Sequence, residues 1–414
     1  MKKFLSVLLS LTFLFSAGNL FADEKTSTQV KDALEKESDS AYKGDGFGVG
    51  PNKLWRISPA YKQSVVYDSN INREPGEGSD QDIIFQFSPS VEISRIGDKF
   101  GVEAEYEMTY EAFVRDTDQN AFNHNVNLKT WYDSERLDVK IGERFGTGKT
   151  FASSEVADRT RVIFNDVNSE VIYKLTEKVS VSALYRNYYF EYLDSIVALN
   201  SYVQHEFGGR VYYHVTDKTD VYVQGSAIVT DYYRTSLFNS DGYGIYAGAT
   251  GRFTSRLVLD VKAGFEGRNY ERNDINSYDN FVGEGGFRYT LTPKTDLILL
   301  AKRGIEESVF RAVGYYEYDK ISLGGVTKFT ERISFNYNAG WQYNRYPSET
   351  LEGLPQSDLR KRKDALLTVD TGLNWQPWRN VNVGVKYTFG DRDSNLNSFD
   401  YTFHRTEANA SVKF

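Results

Sequence analysis

The last fourteen residues of the chain, 401–414, alternate between apolar and polar positions. One face would carry Ala408, Ala410, Val412 and Phe414, and the other would carry Glu407, Asn409, Ser411 and Lys413. Alternation with a period of two is typical of a β-strand that has one apolar and one polar face. Since proteins avoid leaving a strand edge unpaired, we expect this strand to pair with the first strand and close a barrel. A soluble β-sandwich is the alternative fold.

A short turn motif recurs along the chain and sets the rhythm of the predicted strands. Turns of the form Thr-x-Lys or Thr-x-Arg occur at Thr176–Lys178, Thr216–Lys218, Thr254–Arg256, Thr292–Lys294 and Thr330–Arg332, with spacings of 40, 38, 38 and 38 residues. Looser versions occur at 97–99, 133–136 and 377–380. Each repeat has room for two strands of about 10 to 14 residues, a length that crosses a membrane at a tilt. A propeller blade would need four strands in the same length.

Eight tight turns and nine longer connections make seventeen connections, and therefore eighteen strands. The predicted strands begin near Trp55, Ile84, Phe100, Asn125, Leu137, Glu170, Val179, Tyr202, Val221, Gly242, Leu257, Phe281, Asp296, Tyr315, Ile333, Ala365, Val381 and Tyr401. An even number of strands places both chain ends in the periplasm, with short turns there and longer loops outside. The sequence therefore predicts an all-β fold over residues 54–414, a transmembrane antiparallel up-and-down β-barrel of about 18 strands.

The composition limits which chemistry the chain can perform. The mean hydropathy of −0.51 is compatible with a barrel, because half of each strand faces water. The chain has no Cys, which excludes a disulfide framework, a thiolate metal site and a Cys nucleophile. Its net charge of −8 argues against nucleic acid as a partner. The four His residues, His124, His205, His214 and His404, show no metal-binding spacing, so we expect neither a metal nor another cofactor.

The N-terminus resembles a secretory signal. Lys2 and Lys3 precede an apolar run from Phe4 to Phe15, and a small-residue site ends at Ala22. We interpret residues 1–22 as a signal peptide and residues 23–53 as a flexible periplasmic lead-in. Together with the barrel, this predicts location in the outer membrane of a Gram-negative-type bacterium.

Aromatic residues mark the two ends of the face that we assign to lipid. On the strand from Ile333, the residues Ile333, Phe335, Tyr337, Ala339, Trp341 and Tyr343 should face lipid. The periplasmic ends of such faces carry Tyr132, Tyr213, Phe253, Phe329, Trp375 and Phe414, and the outer ends carry Tyr110, Tyr189, Tyr343 and Phe389. Two belts about one strand apart match the aromatic girdles of membrane barrels.

The opposite face should line the pore. Glu103, Glu105, Glu107 and Glu111 fall on one side of a single strand, where neighbouring like charges require water or cations for compensation. The other pore-lining candidates are Arg186, Arg210, Arg252, Arg288 and Lys328. Lys174, Arg252, Arg288 and Lys328 lie close to periplasmic turns and could form a basic collar, with ordinary solvated charge as the alternative. Tyr188, Tyr212, Tyr222 and Tyr246 also alternate inward, either as platforms for sugar rings or as bulky lumen fillers.

The third long connection, 146–165, carries both charged and apolar residues. A purely solvated loop would not need Phe151, Val162, Ile163 and Phe164. We expect it to fold inward and narrow the pore opposite the Glu103–Glu111 row. A hairpin standing above the membrane is the alternative.

Motifs for catalysis and nucleotide binding are weak. Gly146–Thr150 resembles part of a phosphate-binding loop, but Glu occupies position 143 where the pattern requires Gly. No grouping of Ser, His and Asp is legible from spacing, so we predict that the protein is not an enzyme.

Short motifs occur in the first quarter of the predicted barrel: Ile57-Ser-Pro-Ala-Tyr61, Tyr67-Asp-Ser-Asn-Ile71, Phe87-Ser-Pro-Ser-Val-Glu-Ile93, the hairpin Phe100–Tyr110 and Asn123-His-Asn-Val126. With these motifs, residues 54–414 resemble the putative β-barrel porin 2 family. This resemblance implies an association with exopolysaccharide or capsule export.

Two functions follow from the sequence. The first is a porin-like channel for polysaccharide or small hydrophilic solutes, and the second is a structural or surface-binding barrel with an occluded lumen. The expected partners are outer-membrane lipid and lipopolysaccharide, the barrel-assembly machinery and polysaccharide-export components.

Phe414 generates the first testable prediction. A terminal Phe on the lipid face should serve both as the assembly signal and as a membrane anchor, as in the barrels that this strand resembles. Deleting Phe414 should therefore lower the folded, heat-modifiable fraction of the protein in outer membranes. Unchanged assembly would contradict the role given to this residue.

Overall fold

The computed structural model describes residues 46–49, 54–76, 80–151, 155, 159–195, 197–236, 238–273, 275–310, 313–347 and 361–414. Its strands are β1 (Phe47–Val49), β2 (Trp55–Asp68), β3 (Asp82–Ile96), β4 (Phe100–Phe113), β5 (Ala121–Asp133), β6 (Leu137–Thr150), β7 (Thr160–Lys174), β8 (Val179–Tyr192), β9 (Tyr202–Thr216), β10 (Thr219–Asp231), β11 (Ser240–Arg252), β12 (Leu257–Tyr270), β13 (Tyr278–Thr292), β14 (Thr295–Glu307), β15 (Tyr315–Lys328), β16 (Ile333–Arg345), β17 (Lys363–Trp378), β18 (Val381–Ser394) and β19 (Tyr401–Lys413). Short 3-10 helices lie at Thr117–Gln119, Ala198–Asn200 and Asn397–Phe399.

Strands β2 to β19 form one closed antiparallel barrel in which each strand pairs with its neighbours in sequence. The barrel closes where β19 pairs with β2, from Arg405 opposite Asp68 to Lys413 opposite Ala60. The backbone N–H of Phe414 donates to the carbonyl of Pro59 at 2.9 Å, and its side chain is 52% exposed on the outer face. The predictions of eighteen barrel strands and of closure through the last strand are confirmed.

A short strand precedes the barrel. β1 pairs antiparallel with the start of β2, Phe47 opposite Ile57 and Val49 opposite Trp55. It takes up the edge of β2 below the point where β19 ends, so that edge does not stay unpaired. These three residues of the predicted lead-in therefore form a strand, and the lead-in itself stays a prediction. The predicted signal peptide lies outside the described residues.

The two faces of the wall differ as the alternation requires. On β18, Val383 and Val385 are exposed on the outer face, whereas Asn382 is buried on the inner face. β16 shows the same contrast between exposed Trp341 and buried Gln342. Apolar side chains therefore face the position of lipid, and polar side chains face the lumen.

Most strands begin within three residues of the prediction, but β7 does not. It starts at Thr160 rather than near Glu170, and β6 extends to Thr150. The connection predicted at 146–165 is therefore confined to 151–159. Val162 and Phe164 are inward-facing residues of β7, which explains the apolar character that the sequence placed in a loop.

The upper part of the β14–β15 hairpin leaves the barrel wall. β14 pairs with β13 only as far as Arg303 opposite Gly283, and β15 pairs with β16 only as far as Glu317 opposite Arg345. Beyond these points β14 and β15 still pair with each other, up to Glu307 opposite Tyr315. We call residues 304–316 the hairpin tip, of which 304–310 and 313–316 are described.

The hairpin tip bends over the lumen. Ile305 and Tyr315 pack with Tyr278 and Val282 of β13. Tyr316 packs in a second cluster on the other side of the tip. Since both faces of the tip are buried, it lies inside the outer mouth instead of standing above it.

No helix in the described part of the chain is long and apolar enough to span a membrane.

Candidate functional site in the lumen and outer mouth

The predicted acidic row lies on the inner face of β4. Glu103, Glu105 and Glu107 stand opposite Lys129, Asn127 and Asn125 of β5, respectively. The alternation of β4 turns all of these carboxylates to the same side as buried Glu111. The row therefore supplies fixed negative charge beside amide and ammonium groups in the lumen.

Glu111, the residue of the row nearest the outer mouth, is fixed there by several contacts. Its carboxylate accepts hydrogen bonds from the Gln86 amide at 2.9 Å and from the Asn123 amide at 3.1 Å. The guanidinium of Arg159 forms a short ion pair with it. Arg159 directly precedes β7, so the start of that strand lies beside the acidic row.

The predicted basic residues are largely paired with inward-facing carboxylates. Arg186 donates two hydrogen bonds to Asp166, at 2.7 and 2.8 Å. Arg288 donates to Asp296 at 3.0 Å, and Lys174 lies 2.9 Å from Asp138.

The proposed basic collar is partly neutralised as a result. Two of its four members, Lys174 and Arg288, face a carboxylate within hydrogen-bonding distance. Arg252 ends β11 as an exposed residue, and Lys328 is half-buried at the end of β15. The pairing favours a wall of alternating charge over a purely cationic ring.

Three of the four inward tyrosines give little ring surface to a solute. Tyr212, Tyr222 and Tyr246 are 4%, 6% and 6% exposed. The guanidinium of Arg210 lies 4.3 Å above the Tyr222 ring, and the ammonium group of Lys262 lies 4.7 Å above the Tyr246 ring. These contacts favour the alternative that the sequence left open, in which the rings fill the lumen. Half-buried Tyr188 remains a candidate for stacking on a sugar.

An amide-lined depression lies on the wall formed by β16 to β19. It is shallow, and because most of its lining residues belong to the inner face of these strands, it opens to the lumen. Asn336, Asn374 and Asn409 line it together with the pair Asp370–Lys386, whose carboxylate and ammonium groups are 3.0 Å apart. The buried Asn409 Oδ1 has no hydrogen-bond partner among the described residues. Amides both donate and accept, so this wall suits uncharged hydroxyl and amide groups.

Buried arginines organise the outer mouth. Arg73 donates to both carboxylate oxygens of Asp68, at 2.8 and 2.9 Å, and its guanidinium lies 3.7 Å from the Phe403 ring centroid. Arg362 donates to Asp364 at 2.9 Å and lies 3.6 Å from the Phe399 ring centroid. Each arginine thus combines a carboxylate with an aromatic face, an arrangement that stabilises charge away from water.

Glu155 links two connections across the mouth. Its carboxylate accepts hydrogen bonds from Ser308 Oγ and from the Val309 N–H, both at 2.8 Å. Ser308 and Val309 belong to the hairpin tip, whereas Glu155 lies between β6 and β7. Asn200, from the β8–β9 connection, donates to the Val309 carbonyl at 2.8 Å. Three connections therefore meet at one point of the tip.

These contacts test the predicted constriction. Within the connection between β6 and β7, Glu155 reaches inward, because it is 1% exposed and contacts the hairpin tip. Arg159 at the end of this connection binds Glu111 of the acidic row, and a constriction opposite that row stays a prediction. The hairpin tip, for which the sequence analysis made no prediction, lies across the mouth beside Glu155.

The structure also joins three residues that the sequence analysis left apart. Ser180 Oγ lies 2.7 Å from His214 Nε2, and His214 Nδ1 lies 2.6 Å from Asp220 Oδ1. Ser180 and Asp220 each follow a repeat threonine, Thr176 or Thr216, by four residues. Their equal distance from the repeat threonines therefore predicts that Ser180 and Asp220 lie at the same height on the wall.

Comparison with known proteins agrees with this architecture. The family model for putative beta-barrel porin 2 matches residues 40–414. Among solved structures, Acinetobacter baumannii OccAB4 is 11% identical, with 88% of this chain and 100% of that one covered and a TM-score of 0.47. Pseudomonas aeruginosa OpdK, solved with vanillate, is 10% identical over 86% and 98%, with a TM-score of 0.47. Pseudomonas aeruginosa OccK2, solved with glucuronate, is 9% identical over 87% and 98%, also with a TM-score of 0.47. No curated protein matches the chain.

Closure of the mouth should depend on pH through Glu155. Burial raises the pKa of Glu155 from 4.5 to about 7, and nearby Glu306 adds to this, against the opposing effects of Arg362 and of the hydrogen bonds from Val309 and Ser308. A released Glu155 would titrate near 4.5, so the closed mouth binds the proton more tightly. Closure is therefore favoured in acid and loses about 3 kcal/mol as pH rises from about 4.5 to about 7.

Single-channel recordings in planar bilayers should show a higher open fraction at pH 8 than at pH 5. Glu155→Gln should abolish this step, because the amide does not titrate. Glu135→Gln, on an exposed periplasmic turn, is the matched control and should keep it. A pH step that survives in Glu155→Gln would contradict the assignment.

Proposed function

Because the chain belongs to the putative beta-barrel porin 2 family, we propose that it is a passive outer-membrane channel for small hydrophilic solutes. The proposal rests on the inner wall of the closed barrel, where fixed charges of both signs alternate with amides. Such a wall holds water and steers ions and polar solutes without forming covalent bonds. A barrel of eighteen strands is wide enough to contain an aqueous channel.

The two sides of the lumen support complementary roles in passage. The acidic row on β4 attracts cations, while the depression on β16–β19 offers amide donors and acceptors. A solute that carries hydroxyl groups could exchange its hydration for these amides at little cost. Polysaccharide passage is a second candidate, and the amide-lined depression is the observation that favours it.

The contacts across the outer mouth bear on the alternative of an occluded structural barrel. The linkage through Glu155 and the hairpin tip would block a polymer chain until it is released. We infer that the mouth opens, because the contacts that hold the tip are side-chain contacts outside the barrel ladder: the hydrogen bonds through Glu155 and Asn200, the buried Arg268–Glu307 ion pair and two apolar clusters. A channel whose conductance stays at zero from pH 5 to pH 8 would support the occluded barrel instead.

The expected partners follow from the outer surface of the barrel. The exposed aromatic residues at the periplasmic ends, including Tyr213, Phe329 and Trp375, suit contact with lipid headgroups. Lipopolysaccharide would occupy the outer leaflet beside the same wall. The barrel-assembly machinery would recognise the last strand and Phe414, and export components are partners only for the polysaccharide candidate.

We infer that the Ser180–His214–Asp220 chain stabilises the wall and does not catalyse hydrolysis. Its distances match those of a Ser-His-Asp triad. Ser180, however, is 0% exposed, so its hydroxyl cannot reach the carbonyl of a substrate. Its neighbours lie in paired strands, where the backbone N–H groups are already used and cannot stabilise an oxyanion.

A fluorophosphonate probe tests this inference directly, since it labels activated serines covalently. Folded protein should show no more labelling than Ser180→Ala. The control variant Ser182→Ala, altered two residues along the same inner face, should show the same low labelling as the wild type and Ser180→Ala. Labelling that disappears only in Ser180→Ala would establish an active nucleophile.

Ion selectivity tests the channel itself. Neutralising the acidic row with Glu103→Gln, Glu105→Gln and Glu107→Gln together should reduce cation preference, because fixed charge in a pore selects ions electrostatically. The reversal potential in a salt gradient should move toward zero relative to the wild type.

Three acidic residues on periplasmic turns provide a matched control with the same change of net charge. The variant with Glu135→Gln, Glu177→Gln and Asp217→Asn should leave the reversal potential within error of the wild type. If the acidic-row variant conducts with an unchanged reversal potential, this row does not face the ion path.

A further inference from the structure

A polar patch interrupts the lipid-facing surface of β6, β7 and β8. Glu143, Val167 and Asn187 are consecutive cross-strand neighbours on the outer face. They are the seventh, eighth and ninth residues from the periplasmic ends of their strands, near the middle of the wall. All three side chains are half-buried by neighbouring residues of the wall. An acid and an amide thus flank a central valine at membrane depth.

Glu143 is poorly matched to a lipid environment. Leu137, Val139 and Ile141 precede it on the outer face of β6, and Phe145 follows it. Its carboxylate lies 3.2 Å from the Asn165 amide in the orientation that satisfies both groups. Within the described ranges, no cation pairs with Glu143. A carboxylate facing hydrocarbon without a cation is unfavourable, and polar residues at this depth usually mark a contact with protein.

A second charged cluster on the outer face differs in this respect. Arg303 and Arg345 lie 3.0 and 2.6 Å from the two carboxylate oxygens of Asp319, across β14, β15 and β16. Glu317 completes the cluster at 3.3 Å from Arg345. These charges neutralise one another within the chain. Among the residues that the structure describes, Glu143 contacts an amide but no cation, and this distinguishes the patch on β6–β8.

We propose that the patch on β6–β8 is the contact surface for a second copy of this chain, related by a two-fold axis that passes through Val167 along the membrane normal. A two-fold contact must be complementary to itself. Such an axis places the Glu143 carboxylate of each copy opposite the Asn187 amide of the other. Each Glu143 carboxylate can then accept a hydrogen bond from the Asn187 amide of the other copy. The two Val167 side chains meet between these two pairs.

The heights of the two groups agree with this arrangement. Glu143 and Asn187 differ by two residues in their distance from the periplasmic end, which is roughly 5 Å for tilted strands. Their side chains together span such a difference. His205 lies 3.2 Å from the Asn187 amide nitrogen and 3.0 Å from the Tyr185 hydroxyl, so Asn187 is held in place from its other side.

Cysteine crosslinking tests the axis, because the chain contains no Cys of its own. Packed sheets are about 10 Å apart, too far for a direct disulfide, so a short bis-maleimide of matching span is required. Val167→Cys in intact outer membranes should give a product of twice the monomer mass. Val385→Cys, on the outer face of β18 and more exposed to the reagent, should stay monomeric.

Further variants test whether the polar groups hold the contact. In the Val167→Cys background, Glu143→Leu and Asn187→Leu should each lower the crosslinked fraction about fivefold or more. Glu143→Gln keeps an acceptor and should retain most of it. Heat modifiability confirms that each variant folds, and monofunctional maleimide labelling of the folded protein confirms that its thiol is exposed.

Three results would overturn the proposal. Equal crosslinking at positions 167 and 385 would indicate random collision in the membrane. A Val167→Cys product of any mass other than a dimer would assign the patch to a different protein. An unchanged crosslinked fraction in Glu143→Leu, combined with a higher melting temperature of the monomer, would show that Glu143 simply faces lipid.

Discussion

Inside a bilayer, each backbone N–H and C=O must find a partner within the protein, because no water is present to replace it. This constraint determines the rest of the molecule. It requires β19 to pair with β2, and it requires every strand between them to alternate one outward and one inward side chain. Where β19 ends early, β1 takes over the edge of β2. The lumen and its chemistry exist only because this ring of ladders is complete.

Features that depend on the ladder alone could be predicted from the sequence. The number of strands follows from the spacing of the Thr-x-Lys turns, and the orientation of Glu103 or Val385 follows from counting along a strand. The same counting failed at β7, because Val162 and Phe164 were taken as loop anchors although they continue the alternation of a strand. Strand boundaries are set by neighbouring strands as much as by local composition.

The outer mouth could not be predicted because its contacts join residues that are far apart in sequence. Glu155 meets Ser308 over 153 residues, and Arg73 meets Phe403. Such contacts depend on the path that each connection takes between its strands. The alternation of apolar and polar residues along a strand does not predict that path. The hairpin tip adds a further obstacle: its outward and inward residues are both buried, so the rule that assigns faces elsewhere in the barrel does not hold there.

The detachment of that tip has a mechanical consequence. The ladder between β13 and β14 ends at Gly283 and Arg303, and the Arg303 side chain donates to the Phe281 carbonyl just above this point at 3.1 Å. A movement of the tip would therefore leave the hydrogen bonds between the strands of the ring intact, but it would break the buried Arg268–Glu307 ion pair and the hydrogen bonds to Glu155. The two halves of the same hairpin thus depend on different contacts: the lower half is held by the backbone ladder of the membrane wall, and the upper half by side-chain contacts inside the mouth.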